Sequence, residues 1–520
     1  KDKDRKKKEK KESVKQSAKS TTHTHTHTHT MALSRRAEPL SQLATRLNPW
    51  DVLANLYDPV TNPTGYISLG LAENTLMHPE LHEHLHSNFK LPLHELTYGD
   101  GKKNLRSVWA SFMNRHFNPV KPIKAEHVTI SNGCSSAVEH AAWAFCNPGE
   151  SFLLGRPYYG VFNQDANVRM GAKLAHVSFG DLDPLGVEAV AKYEEELLRV
   201  KADGGKVSGL LISNPHNPLG RSYPRETLVA MMRLCQKYQI HLISDEIYAL
   251  SVFENTVDGV TPTPFESVLS IDKAGIVDES LIHVLWGTSK DFGANGIRLG
   301  SLVSQGNEAL QSALQPVSLY SSTSSLSDHA AINLLEDTDF TERYIRSNQA
   351  KLSDCYTHIT AWARRNDIHY SAGVNAGFFL WLDLGAVFRR FNPQLPAKGF
   401  DVNKVIADLL LRQKVFIGSG TTFGSEKPGW FRIVFSTNRE YVDEGLRRII
   451  KAVESHAEPE LIQAALTNGQ ATTNGYTSAV NGLSNTSTAA STSAHCAETH
   501  AKTNGHLTNG HTNGIAAGAQ

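Results

Sequence analysis

Lys290 follows the apolar run LIHVLWGTS (281–289). A lysine that emerges from a buried strand can lose its proton and attack a carbonyl carbon. Arg298 lies eight residues further on and offers a permanent charge to an anion. Asp245 closes IHLISD (240–245), where a carboxylate is costly unless it faces a cation or a donor. Tyr248, three residues later, can return to the same pocket. The run VSGLLIS (207–213) leads into NPHNPLG, and Asn217-Pro218-Leu219-Gly220 is a stiff turn that holds an amide at a sheet edge. Asn132-Gly133 then opens the helical pattern CSSAVEHAAWAFC (134–146). The free N–H groups of Cys134 and Ser135 at such a helix start suit a phosphate.

Taken singly, each feature has a plain structural reading: a capped turn, a stiff loop, a surface lysine or arginine. Taken together they describe one small molecule. An anion nest, an acid for a cationic ring nitrogen, an amide and a phenol for a ring oxygen, and an amine for an aldehyde match pyridoxal 5′-phosphate (PLP). A PLP site needs a lysine for the aldehyde and a charged partner for the ring nitrogen.

These residues sit at the ends of a regular alternation. EHVTIS (126–131), SFLLGR (151–156), AKLAHVSF (172–179), VSGLLIS, IHLISD, LIHVLWGTS and LGSLVS (299–304) read as strands. ETLVAMMRLCQKY (226–238) reads as an amphipathic helix between two of them. Strands this apolar, separated by helices, predict an α/β fold with a buried, mostly parallel sheet covered on both faces. Ligands of such sheets sit beyond the carboxyl ends of the strands. From about residue 340 the pattern changes to a smaller α+β unit, with a charged helix (341–366), FFLWLDL (378–384), a helix near 401–413 and WFRIVFS (430–436). The expected division is a basic tail (1–41), an N-terminal arm (42–88), a large domain (89–330), a small domain (331–457) and a second tail (458–520).

The 520 residues carry 52 basic and 52 acidic side chains, with 40% apolar and 8% aromatic residues. This is ordinary globular composition and excludes a collagen-like chain, a disulfide scaffold and a membrane bundle. The zero balance hides a division. Residues 1–20 hold ten Lys/Arg against four Asp/Glu, so the remainder has a net charge of −6. With no aromatics interleaved, the basic run reads as a solvated tail rather than a nucleic-acid arm. His23, His25, His27 and His29 alternate with Thr, and this low-complexity run is not taken as a metal site. The first Met is Met31, where translation is expected to begin. From Leu466 onward, Thr, Asn, Gly, Ala and Ser make up 40 of 55 residues, a composition expected to stay disordered. Five unpatterned Cys and no apolar run of about 18 residues point to the cytoplasm, with no membrane span.

Six blocks in order, GLAEN (70–74), PYYGVF (157–162), NPHNPLG (214–220), SDEIY (244–248), SKDFGANGIRLG (289–300) and WFRIVFS (430–436), carry a family resemblance. Over about residues 50–450 the chain resembles fold-type I PLP enzymes of the class I/II aminotransferase family. Within them it is most similar to the 1-aminocyclopropane-1-carboxylate (ACC) synthase-like branch. The resemblance implies a catalytic set of Lys290, Asp245 and Tyr159. Lys290 bonds the cofactor aldehyde and later carries the substrate α-proton. Asp245 pairs with the ring nitrogen, Asn217 and Tyr248 bind the ring oxygen, and Tyr159 stacks on the ring. Cys134, Ser135 and Arg298 cradle the phosphate, and Arg432 grips the substrate carboxylate. Glu73 and Asn74 approach substrate from the arm. Tyr98 reaches the phosphate of a partner subunit, which makes the expected assembly a homodimer with shared sites.

Two departures stand out. The family's phosphate-binding Ser or Thr, three residues before the lysine, is here Gly287, leaving Thr288 or Ser289 to substitute. The Tyr-His-Gly of true ACC synthases is here Gly99-Asp100-Gly101, which argues against ACC synthesis. The expected function is transfer of an amino group from an L-α-amino acid to a 2-oxo acid in specialised metabolism. Carbon–sulfur lyase or ACC synthase-like elimination is the second expectation. A non-catalytic regulatory role is the third, opposed by the presence of Lys290, Asp245, Asn217, Tyr248, Arg298 and Arg432.

Overall fold

The computed structural model describes residues 33, 34, 37, 49–97, 104–396 and 399–468. The basic run, the His-Thr run, Tyr98 with Gly99–Gly101, and residues 469–520 lie outside the described residues.

Seven strands form the main sheet: β2 (Val128–Ser131), β3 (Ser151–Gly155), β4 (Lys173–Val177), β5 (Val207–Ser213), β6 (His241–Asp245), β7 (Ile282–Gly287) and β8 (Gly300–Val303). Their spatial order is β2-β8-β7-β6-β5-β3-β4. All neighbours are parallel except β8, which runs antiparallel to both β2 and β7. The short return from β7 to β8 is taken up by the Lys290 turn and leaves no room for a crossover helix. Every residue of β3, β5 and β7 is buried. That matches their unbroken apolar pattern and requires cover on both faces. Helices Leu105–His116, Arg225–Tyr238 and Ser325–Glu336 supply one face. Helices α1 (Cys134–Phe145), α2 (Phe162–Asn167) and Glu308–Val317 supply the other. From β3 the chain passes outward to β4, whereas from β5 it moves the opposite way through β6 to β7. The carboxyl ends of β3 and β5 therefore flank a crevice at the point where the strand order reverses.

The smaller unit is built on an antiparallel sheet of β9 (Phe379–Asp383), β12 (Trp430–Val434) and β11 (Gly418–Ser419). The long helix Thr338–Arg365 and helix Arg439–Val453 pack with it around a separate apolar core. The arm joins this unit. Its β1 (Ile67–Ser68) pairs in parallel with β10 (Val415–Phe416). Residues 69–75 then cross the cleft, held at both ends: Leu69 O accepts from Val434 N, and Thr75 N donates to Ser436 O.

One boundary moves. The segment expected as a tail from 458 opens with a helix, Pro459–Asn468. Ala465 is fully buried, and Leu461 and Ile462 pack against the small-domain core. The biased composition begins at Leu466, and the apolar residues just before it still have a surface to cover.

Candidate active site

Lys290 is carried by one helical turn, α3 (Thr288–Asp291), at the end of β7. The next residue, Asp291, fixes that turn. It accepts from Trp286 Nε1 at 2.9 Å, from the Leu250 N–H at 3.1 Å and from the Ser251 hydroxyl at 2.7 Å. These bonds tie the lysine turn both to its own strand and to the loop that follows Tyr248. Lys290 Nζ donates to the Ala72 carbonyl of the arm at 2.5 Å. Burial first, then the nearby Arg432 charge, push the Lys290 amine down to about 8, while Glu73 opposes them.

Asp245 ends β6 beside Ser213 of β5 and Leu285 of β7. It is buried, and its carboxylate accepts the Ile247 N–H at 3.3 Å. Burial pushes it up to about 7. Among the described residues no basic side chain forms an ion pair with it, although the Lys290 charge acts on it. A protonated ring nitrogen would supply a partner for it. Asn217, buried after β5, accepts from Arg432 Nη1 at 2.9 Å. Tyr248 is buried edge-on against Phe378 and Phe379, with Arg432, Tyr159 and Asp245 in electrostatic range. Tyr159 stands edge-on to Phe162 and senses Asp245, Arg432 and Arg298. Lys290, Asp245, Asn217, Tyr248, Tyr159 and Arg432 thus converge on one cleft. Tyr158, the other member of the pair, stacks on His176 at 4.8 Å and serves packing.

The phosphate end is equally built. Gly133 has φ 80°, and a side chain there would collide with the Arg298 guanidinium. Arg298 itself adopts the left-handed φ of 60° and donates to Asn295 O at 2.9 Å. The first N–H groups of α1, those of Cys134 and Ser135, have no carbonyl within the helix to bond. A small anion between this helix end and Arg298 would satisfy both. The Cys134 thiol is held well above its ordinary range by burial, so this residue contributes backbone rather than a thiolate. Gly287 has a steric cause: an added Cβ would lie 2.5 Å from Leu299 O and 3.2 Å from Cys134 Sγ. The adjacent Thr288 hydroxyl is buried and without a hydrogen-bond partner, and Ser289 is buried beside it.

Arg432 is the roof of the cleft. It lies on β12 opposite Trp381 of β9, buried, with Nη2 donating to the Gly70 carbonyl at 2.6 Å. Its guanidinium is 4.7 Å from the Phe423 ring and 5.2 Å from the Phe379 ring. Nε has no partner. A buried cation bonded only to neutral acceptors is a ready site for a carboxylate.

The two arm residues differ. Glu73 is exposed, with its carbonyl bonded by the Ser436 hydroxyl at 2.7 Å and its charge in range of Lys290. Asn74, expected to face substrate, is instead buried. Its amide donates to Asn348 Oδ1 at 2.8 Å and accepts from the Leu76 N–H at 3.2 Å. It uses its polar atoms to lock the arm onto the long helix. His216 is likewise a buried loop residue, pushed down to about 3 mainly by burial. Asp291 and the carbonyls of Gly70 and Ala72 were not expected from the sequence. The acid directly after Lys290 was the one available signal; backbone carbonyls leave none. No cluster of metal-ligating side chains occurs among the described residues.

Residues 68–449 match the family model described as aminotransferase class I and II. The mouse protein named 1-aminocyclopropane-1-carboxylate synthase-like protein 1 is 33% identical over 77% of this chain and 79% of its own. A Claviceps purpurea protein named probable aminotransferase tcpI is 30% identical over 76% of this chain and 91% of its own. Among solved structures, a Thermus thermophilus aspartate aminotransferase tetra mutant complexed with tryptophan aligns with TM-score 0.64 at 19% identity. That alignment covers 81% of this chain and 99% of the other, and it concerns the fold.

Proposed function

The chain belongs to the class I and II aminotransferase family, in its ACC synthase-like branch, and is a PLP-dependent enzyme; on that premise we propose that it transfers the amino group of an L-α-amino acid to a 2-oxo acid in specialised metabolism. The observation that carries this reading is the convergence on one cleft of Lys290 Nζ, the buried Asp245 and Arg432, a cation bonded only to neutral acceptors.

When bound, PLP supplies an aldehyde that bonds an amine and a ring that draws electrons from the carbon bearing it. Cys134 and Ser135 through their N–H groups, Arg298, and the hydroxyls of Thr288 or Ser289 would hold its phosphate. Asn217 and Tyr248 would take its ring oxygen, Asp245 its ring nitrogen and Tyr159 its face. Arg432 binds the substrate carboxylate, exchanging the Asn217 and Gly70 oxygens for two charge-assisted bonds. Lys290 Nζ, poised near neutrality, accepts the α-proton and delivers it onward. Apolar walls from Phe379, Phe423 and Tyr248 exclude water from these transfers.

Elimination of a β- or γ-leaving group uses the same residues, and the similarity to a protein named ACC synthase-like favours it as the second reading. Incubation with single amino acids and no acceptor separates the two. Conversion of the cofactor to pyridoxamine 5′-phosphate marks transfer. Release of ammonia and thiol with PLP retained marks elimination, and that outcome refutes the first reading.

The reading includes a homodimer. Leu319 and Tyr320 are 72% and 90% exposed, and Leu93 and Leu96 are also exposed; both groups flank helix Ser325–Glu336. Exposed large apolar side chains of this kind support an interface with a second subunit. A monomer by sedimentation at micromolar concentration would refute this part.

A further inference from the structure

Asn295 follows the lysine turn, in the short turn Asn295–Ile297 that carries the chain on to Arg298. None of the roles given above uses it. Its side-chain Nδ2 donates to the Ala72 carbonyl at 3.2 Å, the same oxygen that accepts from Lys290 Nζ at 2.5 Å. Its backbone carbonyl accepts from Arg298 Nη1 at 2.9 Å, so this residue ties the arm to the phosphate cradle. Asn295 Oδ1 is buried and has no hydrogen-bond partner among the described residues. The bond to Ala72 therefore sets the orientation of the amide. The ends of the arm segment 69–75 are bonded to the small domain through Leu69 and Thr75. Ala72 bonds its middle to the Lys290 and Asn295 turns.

A carbonyl oxygen has two lone pairs and accepts both donors at once. The two donors differ in what the reaction asks of them. Lys290 has to leave. Its Nζ forms a C=N bond to the cofactor aldehyde carbon, and the aldehyde oxygen departs as water with the two hydrogens of the neutral amine. Asn295 has no such task and keeps its N–H. We propose that Asn295 is a positioning residue that stays on Ala72 O when Lys290 lets go, so that cofactor attachment strands no acceptor and the arm keeps its place. The proposal rests on the PLP reading of the site. Without Asn295 the departure of Lys290 leaves a carbonyl of the cleft with no donor, which opposes attachment. It also frees the segment whose Gly70 carbonyl meets Arg432 at 2.6 Å.

Two probes separate this role from a merely structural one. PLP and pyridoxamine 5′-phosphate share the ring and the phosphate, but only PLP has the aldehyde. Pyridoxamine 5′-phosphate therefore leaves Lys290 on Ala72 O. Dissociation constants of both are measured for the full chain, for Asn295→Leu, which keeps the volume without an N–H, and for Asn295→Gln, which keeps the amide. The expected result is that Asn295→Leu weakens PLP at least about fivefold more than it weakens pyridoxamine 5′-phosphate. Asn295→Gln brings the ratio back towards the wild type. In a Lys290→Ala background, where no C=N bond forms, the difference between the two probes vanishes. Equal weakening of both probes by Asn295→Leu overturns the proposal. If Asn295→Leu does not fold, Asn295→Ala decides in the same way.

A second measurement needs no cofactor. The Glu73 N–H bonds the Leu71 carbonyl at 2.9 Å across Ala72, so its hydrogen exchange in the unloaded chain reads the hold on the arm. Loss of one donor, in Lys290→Ala or in Asn295→Leu, changes that exchange by no more than about twofold, because the other remains. Loss of both speeds it at least about tenfold. Additive effects of the two substitutions overturn the shared hold on Ala72 and the proposal with it. Absence of binding of both probes by the wild type overturns the cofactor reading itself, and the exchange cycle still decides whether Asn295 holds the arm.

Discussion

The floor and the roof of the cleft are held by different kinds of bond. The floor, with Asp245, Asn217 and Lys290, is set by adjacent parallel strands whose backbones lock the strand ends in register. The Lys290 turn is further braced by three donors to Asp291. The roof is held by exchangeable contacts: Arg432 rests on the Gly70 and Asn217 oxygens, and Ala72 O caps Lys290. The floor is therefore pre-organised for a cofactor that stays. In the proposed reaction, the arm carbonyls of Gly70 and Ala72 are place-keeping acceptors that a substrate carboxylate and amine would displace at little net cost, one hydrogen bond being traded for another. Rigid groups that develop or carry charge belong on strand ends, and groups that must let go belong on an arm.

The largest expected effect breaks the floor. Lys290→Ala removes both the covalent attachment and the proton carrier, so turnover falls by at least about 10³-fold. Absorbance of the loaded protein also loses the band of the lysine-bound cofactor, and retention of that band would refute the assignment. Asp245→Asn keeps shape but removes the charge for the ring nitrogen, with an expected loss in kcat of about 10²–10³-fold. Unchanged kcat would show that the buried acid is structural only.

Breaking the roof costs less. Arg432→Lys keeps a charge but loses the two-point grip, at about 1.5–3 kcal/mol for a charge-assisted bond, which is about 10–100-fold in kcat/KM. The same position sharpens the comparison through pH. Cofactor attachment needs the unprotonated amine, so its rate rises with pH and levels off above about 8. Arg432 is the largest charge that lowers the Lys290 value, so Arg432→Met moves this midpoint upward. A midpoint that does not move would mean that roof and floor are electrostatically independent. The smallest effect is expected from Asn74→Ala, about 1–2 kcal/mol of stability from the lost Asn348 bond, read as a lower denaturation midpoint. A large fall in kcat with stability unchanged would return Asn74 to a substrate-binding role.

Much of the floor was legible because its chemistry is local. A strand, a turn and a reactive side chain are contiguous in sequence, so Asp245, Asn217 and Lys290 could be read from the residues around them. The alternation of apolar runs and helical patterns likewise indicated the sheet. What escaped had no local pattern. Helix Pro459–Asn468 was hidden because its last turns share the composition of the segment that follows. Asn74 looked like a ligand residue because its partner, Asn348, is 274 positions away. Tyr98 lies outside the described residues.

By itself, the sequence determined which strand ends carry an amine, an acid, an amide and a glycine-led helix start, and in what order. Only the tertiary structure decided how they are used. It placed Ala72 O on Lys290 across 218 residues and Gly70 O on Arg432 across 362. It set Asp291 as the brace of the lysine turn. The reason is physical: chemistry along one strand follows from neighbouring residues. Burial, opposing charge and a backbone carbonyl in the cleft arise only when distant segments pack together.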